Sequence, residues 1–326
     1  MNILWDGTVC LEDGGRRLYM DPKRKRPAAV VTHAHLDHLA EGAAMTPQTA
    51  DIMRARIPHA DFCPLVLPFG KNADIEGFDV MLAEAGHVLG SAMVSVGDML
   101  YTGDFDTFTG ITCGAAAPRK CQTLVVEATY GDPRFVLPDQ EGVVADLLSW
   151  MEDCLERGPV ILGAYEFGKA QDLVALAMSL RVPVVVSDQI ASICDVYRRH
   201  GVNLECTSLS RASPELLGSP HVLVISRKEL KHPVAGHVRG LRRNGASSAY
   251  ISGWTAFWNF CASHDIDAQF PFSNHADFNG IMEFVEGCSP REVLTVHGSC
   301  ESLAGEITKR LGIEARPLEP DKEKNL

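Results

Sequence analysis

The chain has 326 residues, of which 46% are hydrophobic and 22% charged, and its formal net charge is −12 at pH 7. This composition is typical of a globular protein with one large core or two ordinary ones. The acidic balance excludes a surface that binds polyanions everywhere, and no apolar run approaches the roughly 18 residues that span a bilayer. We therefore expect no membrane partner.

Two further features of the composition bear on location. The first fifteen residues contain acids and lack the basic segment of a signal peptide, so we expect a cytoplasmic protein. The ten cysteines include no CxxC pair, and we interpret them as reduced thiols that do not carry the chemistry.

In chain order, the residues up to about 130 form short β-type runs bounded by Gly, Asp and Pro, which predicts stacked sheets. Helical spacing follows at 137–157, with Asp139 as the candidate N-cap. The stretch 159–188 is a strand–helix–strand pattern typical of a parallel α/β layer. The last 60 residues resemble the first part again. The sequence thus predicts an α/β protein in which an inserted domain splits a β-rich host.

A cluster of candidate metal ligands lies at the end of the apolar run 28–31. The segment HAHLDH places His33, His35, Asp37 and His38 within six positions. Imidazoles and carboxylates are good ligands for Zn²⁺ and similar divalent ions, and two ions about 3.5–4 Å apart suit hydrolysis of phosphoesters. The cluster therefore predicts a metal site, and other strand ends offer further ligands. These are His87 after Gly86, Asp104 after Gly103, and His297 before Gly298.

The cluster followed by these glycine-flanked ligands resembles the metallo-β-lactamase superfamily, which implies an αββα sandwich over residues 1–130. Three later stretches resemble motifs A, B and C of its β-CASP nucleases, which include RNase J, the polyadenylation cleavage subunit and DNA crosslink-repair nucleases. They are VVEATYGDP (125–133), FSNHADF (272–278) and LTVHGS (294–299). The resemblance implies a metallo-β-lactamase domain at 1–135 and 265–326, and a β-CASP insert at 136–264.

The resemblance also implies the roles of the site residues. Two divalent ions are expected, zinc by default with manganese or iron as alternatives. One would be held by His33, His35 and His87, the other by Asp37, His38 and His297, with Asp104 bridging. Asp21 would orient the site, and Glu127 would pair with His275 near the scissile phosphate, where His275 acts as the acid.

The function that follows is a two-metal phosphodiesterase acting on single-stranded nucleic acid. His297 at motif C resembles the RNA-acting branch and favours RNA processing or decay. The short chain also resembles DNA-ligase-associated exonucleases, so DNA stays the alternative. A small-molecule lactonase or thioesterase and a metal-free scaffold are weaker alternatives, because neither needs the full ligand set together with Glu127 and His275.

Substrate binding is predicted from charge. Residues 198–243 hold nine Lys/Arg against three Glu, so we expect a basic cleft between the two domains to bind the strand; a homodimer is a further possibility. The arginine that many relatives carry after the strand at 247–254 is missing. The aromatic residues that follow have the i, i+3, i+4 spacing of core packing, with stacking on bases as the alternative. They are Trp254, Phe257, Trp258 and Phe260.

Overall fold

The computed structural model describes residues 1–35, 42–58, 63–231, 236–261 and 266–318. The chain separates into two compact units. The first unit consists of Met1–Val136 with His275–Leu326, and the second of Leu137–Asn274. The naming of these units as host domain and β-CASP insert stays a prediction, as do the boundaries given above.

Both units contain strands and helices, which confirms the mixed α/β class. The strands are β1 Asn2–Trp5, β2 Val9–Asp13, β3 Arg16–Met20, β4 Ala29–Val30, β5 Ala44–Met45, β6 Leu65–Val66, β7 Asn72–Ile75, β8 Phe78–Glu84, β9 Ala92–Val96, β10 Met99–Tyr101, β11 Thr123–Ala128, β12 Val160–Ala164, β13 Val184–Val186, β14 Thr207–Ser208, β15 Val222–Ser226, β16 Ser247–Ile251, β17 Ala268–Phe270, β18 Glu292–Gly298 and β19 Glu314–Pro317. The helices are α1 Pro47–Arg56, α2 Gln140–Leu155, α3 Lys169–Ser179, α4 Asp188–Arg199, α5 Pro214–Leu217, α6 Arg227–Lys231, α7 Gly236–Arg243, α8 Phe278–Cys288 and α9 Cys300–Leu311.

The first unit contains two sheets. Sheet A has the order β1-β2-β3-β4-β5-β6, antiparallel from β1 to β3 and parallel from β3 to β6. Sheet B has the order β19-β18-β11-β10-β9-β8-β7, parallel from β19 to β10 and antiparallel beyond.

The core of the first unit shows how these layers stack. Side chains of β2 and β3, such as Leu11 and Leu18, share one buried cluster with Val125 of β11 and Val296 of β18. The opposite face of β11 packs with α8 and α9, because successive strand residues point to opposite faces. The unit is therefore a sandwich of two sheets with helices covering the outer face of sheet B.

The second unit is built on sheet C, which is parallel throughout and has the order β14-β13-β15-β12-β16-β17. Every residue of β12 and β15 is buried, as expected for a parallel sheet covered by helices. Asp139 is the N-cap of α2 and accepts a hydrogen bond from the Gly142 N–H at 2.8 Å, so that prediction is confirmed. Within the described ranges, no helix is both long and apolar enough to span a membrane.

Candidate metal centre

Four predicted ligands come together in the first unit. His33, His35, His87 and Asp104 each offer one ligand atom, and these atoms all lie within 4.8 Å of one another. His33 Nε2 lies 3.4 Å and His87 Nε2 3.9 Å from Asp104 Oδ2. Three imidazoles and a carboxylate form a donor set suited to zinc and similar divalent cations. The residues present therefore fit a divalent metal ion.

His33 is oriented by a buried hydrogen-bond chain. Thr32 donates to Asp21 through its backbone N–H at 2.7 Å and its hydroxyl at 2.8 Å. The same hydroxyl lies 2.9 Å from His33 Nδ1. Because its proton goes to Asp21, the hydroxyl accepts from Nδ1–H, which fixes the tautomer and leaves the Nε2 lone pair for a metal. The hydrogen bond to Thr32 thus adds to the fit of His33 to a cation, because it orients the imidazole ring.

Asp21 is connected to His33 through Thr32. It is 3% exposed and adopts a left-handed backbone with φ of 48°. The Tyr101 hydroxyl donates to Asp21 Oδ2 at 3.0 Å. Burial, with the nearby Asp21 carboxylate, raises the pKa of Tyr101 well above its ordinary value, so the phenol stays a donor. The predicted orienting role of Asp21 has this geometry in its favour and stays a prediction.

Two glycines explain the shape of the ligand loops. Gly103 precedes Asp104 at φ 55°, and a Cβ there would lie 2.8 Å from the Thr32 hydroxyl oxygen. Gly86 precedes His87 at φ 75°, and a Cβ there would lie 2.3 Å from the Asp106 carbonyl oxygen. Both positions thus favour glycine for backbone conformation and for close packing.

Glu127 and His275 form a pair, although 148 positions separate them. His275 Nδ1 donates to Glu127 Oε1 at 2.8 Å, and the Thr129 N–H donates to Oε2 at 2.9 Å. Glu127 is fully buried, and burial alone would raise its pKa. The charge and hydrogen bond of His275 with the Thr129 hydrogen bond outweigh burial, so the pKa of Glu127 falls below its ordinary value. The pair is an ionised carboxylate that accepts a hydrogen bond from an imidazole N–H.

This pair adjoins the metal cluster. The His275 and His87 ring centroids are 4.4 Å apart. Asp104, Glu127 and His275 also place one ligand atom each within 4.8 Å of one another. The structure therefore brings the predicted acid to the edge of the predicted metal site.

His297 lies apart from the four clustered ligands in a β-bulge. The β11–β18 ladder pairs Glu127 with Val296 and Ala128 with Gly298, so His297 is the extra residue. It has φ of 57° and makes an edge-to-face contact with Trp5 at 6.0 Å. Its predicted co-ligands Asp37 and His38 lie outside the described residues, so the second ligand set stays a prediction.

Thr32, Tyr101 and Thr129 were missed by the sequence reasoning. Thr32 had a local signal, since metal-binding histidines usually donate their second ring N–H to a neighbour. Tyr101 had none, because its contact with Asp21 spans 80 positions. A backbone donor such as the Thr129 N–H cannot be predicted from residue type, because every residue except proline has a backbone N–H.

Comparisons with known proteins add independent findings. Residues 267–316 match the RMMBL family, described as the Zn-dependent metallo-hydrolase RNA specificity domain. A "Probable DNA ligase" of Opitutus terrae is 29% identical over 94% of this chain and 30% of its own length. The transcription termination factor FttA of Methanothermobacter thermautotrophicus is 29% identical over 58% of this chain and 36% of its own length.

A more distant relative also aligns with most of the chain. The DNA cross-link repair 1A protein of Mus musculus is 22% identical over 82% of this chain and 28% of its own length. The chain thus spans about a third of these curated relatives. A crystal structure of a protein of unknown function from Enterococcus faecalis superposes with a TM-score of 0.60 at 15% identity, covering 90% of this chain and 79% of that one. That likeness shows the fold.

The fold and the histidine–aspartate centre together fit a metallo-hydrolase of the metallo-β-lactamase type. Within that class, the matched RNA specificity domain and the relatives named above support the β-CASP nuclease family. The family resemblance drawn from the sequence is thereby confirmed.

Proposed function

We propose that the protein is a two-metal phosphodiesterase that cleaves single-stranded nucleic acid, with RNA as the favoured substrate. The observation that carries this proposal is the contact between the Glu127–His275 pair and the metal cluster. The His275 imidazole, hydrogen-bonded to the buried Glu127 carboxylate, lies beside His87 of the metal cluster. A catalytic acid next to a cation site suits phosphodiester hydrolysis.

The proposed cofactor is a pair of divalent ions, with zinc favoured over manganese and iron. His33, His35, His87 and Asp104 would hold one ion, and Asp37, His38 and His297 would complete the second site with Asp104 shared. Ions bound there would supply Lewis-acid activation of water and stabilise charge on the phosphoryl oxygens.

The chain's own residues supply the acid and its orientation. His275 donates to Glu127 through Nδ1, so Nε2 is the ring atom that would donate to a leaving oxygen. Glu127 is fixed by the Thr129 N–H and does not itself contact substrate in this proposal. Asp21 and Thr32 keep His33 in one tautomer.

A DNA exonuclease is the second candidate. A relative named as a probable DNA ligase aligns with 94% of the chain, whereas the matched RNA specificity domain and the histidine at motif C favour RNA. A lactonase or thioesterase has no use for the Glu127–His275 pair. The basic cleft between domains, a homodimer and a cytoplasmic location remain part of this proposal.

The test is degradation of end-labelled single-stranded RNA and DNA, each with and without a 5′ phosphate, in zinc or manganese. We expect cleavage by the wild type and loss of it in Asp104→Asn. The matched control is Asp98→Asn, which makes the same change at an exposed carboxylate of the same unit. A metal-loaded wild type that cleaves no polymer would overturn the proposal, and the polymer that is cleaved faster separates the RNA candidate from the DNA candidate.

A further inference from the structure

The second unit contains a cavity of about 270 Å³ that the proposed chemistry does not use. We call it the aromatic pocket. It is lined by Tyr165, Arg227, Tyr250, Trp254, Trp258 and Phe260. Its volume is slightly below the roughly 300–1,000 Å³ of most small-molecule sites, which suits one planar ring system.

The aromatic pocket lies where a parallel sheet places binding sites. Tyr165 directly follows β12 and Arg227 directly follows β15, so both stand at the carboxyl end of sheet C. Strand β12 lies between β15 and β16, with β13 beyond β15. The chain therefore leaves β12 toward one side and later returns to its other side. Ligands of open parallel sheets bind outside the carboxyl ends at such switch points.

The lining offers aromatic faces at two depths. Tyr250 is buried at 1% exposure, whereas Trp258 and Tyr165 are 50% and 48% exposed. The Trp254 and Trp258 ring centroids are 5.0 Å apart with a tilt of 44°. Large aromatic rings left exposed around a cavity mark an interaction site, because burying them would otherwise stabilise the protein.

Two cations border the same rings. The Arg227 guanidinium carbon lies 5.4 Å from the Tyr250 centroid and 5.6 Å from that of Phe260, and Lys231 Nζ lies 5.6 Å from Phe260. In the part of the chain that the structure describes, neither cation forms an ion pair. Burial and the neighbouring Arg227 lower the pKa of Lys231. The positive charges of Arg227 and Lys231 repel each other. An anion bound beside the pocket would reduce this electrostatic repulsion.

From this geometry we infer that the aromatic pocket stacks one nucleobase of a single strand while Arg227 and Lys231 contact its phosphate backbone. The inference rests on the proposed function for its choice of ligand, and it identifies the part of the second unit that binds the strand. Stacking tolerates every base, since each has a π-face, so the pocket gives affinity with little sequence preference.

The test measures binding of fluorescent oligo(U) and oligo(dT) to the full chain in EDTA, where cleavage does not interfere. Trp258→Ala should weaken binding roughly 5- to 150-fold, the range for loss of one stacked base. Trp258→Phe keeps an aromatic face and should retain most of the affinity. Leu65→Ala, at another exposed apolar side chain outside this unit, is the control for surface substitution.

The salt dependence of binding separates stacking from charge. Arg227→Ala should reduce the slope of log affinity against log salt by about 0.7, the value for one phosphate contact on a single strand. Trp258→Ala should leave the slope unchanged. Lys228→Ala removes one charge from the exposed neighbouring position of α6 and should change the slope less than Arg227→Ala does.

The outcomes distinguish the two proposals. If the wild type cleaves nucleic acid but Trp258→Ala binds as tightly as wild type, the inference is overturned and the proposed function stands. If strands bind in a Trp258-dependent way but are never cleaved, the pocket stands and the proposed function falls. Oligomers of abasic sugar-phosphate that bind as well as oligo(dT) would also overturn base stacking.

Discussion

The metal centre of the first unit and the aromatic pocket of the second unit differ in how firmly their side chains are fixed. At the metal centre, His33, His87 and Glu127 are buried, and hydrogen bonds fix the orientation of His33 and Glu127. At the aromatic pocket, Trp258 and Tyr165 are half exposed. Chemistry needs groups held within fractions of an ångström, whereas stacking tolerates adjustment. The difference predicts that substitutions in the first unit act on rate and metal affinity.

The largest expected effect is on the acid itself. His275→Ala should lower the cleavage rate about 10²- to 10⁴-fold, the usual contribution of a general acid. The metal content should stay at the wild-type level, because the cluster of His33, His35, His87 and Asp104 is intact. Rate constants at saturating substrate, with metal analysis on the same preparation, check this. A variant that cleaves like wild type would remove His275 from the mechanism.

A smaller effect is expected one step behind the ligands. Thr32→Val keeps the side-chain shape but removes the hydroxyl that joins Asp21 to His33. Metal affinity should fall about 10- to 100-fold, as for other partners that orient a ligand. Thr32→Ser keeps the hydroxyl and should stay near wild type. Competition with a zinc-binding dye measures both, and equal affinities for the two variants would contradict the orienting role.

The sequence predicted the metal centre further than it predicted the pocket, and the reason is spacing. HAHLDH is a local motif, so His33 and His35 were visible without the fold, and the structure brings His87 and Asp104 to them. Trp258 was ambiguous because its spacing suits a helix packed in a core. It instead follows a 3₁₀ turn, Gly253–Ala256, after β16, and its side chain stays half exposed.

Backbone detail was beyond the sequence for a different reason. The bulge at His297 shows only in strand pairing, since the β11–β18 register skips that residue. The switch point of sheet C depends on strand order, which no local pattern encodes. Neither feature depends on residue type alone, so composition and periodicity could predict neither of them.

The Glu127–His275 pair makes the first unit's stability depend on pH. The folded pKa of Glu127 is lowered, so its contribution is present above the ordinary pKa of about 4.3 and is lost as pH falls through the lower folded value. Glu127→Gln should cost about 1–3 kcal/mol of unfolding free energy near pH 7, as for a buried hydrogen-bond partner left unmatched. Urea denaturation in EDTA across pH should show the two proteins converging in acid. A difference independent of pH would contradict the ionised pair.

The smallest expected effect is on the stability of the second unit, and it tests whether that stability affects the metal centre. Asp139 caps α2 through the Gly142 N–H, so Asp139→Ala should lower the unfolding free energy by about 1 kcal/mol. Asp146→Ala removes the same charge from an exposed position inside α2 and should not destabilise, since alanine favours helix. Both variants should keep wild-type metal affinity, because their residues lie outside the unit that holds the cluster. Urea denaturation with dye competition tests this, and a loss of metal affinity in Asp139→Ala would show that the metal centre depends on the second unit.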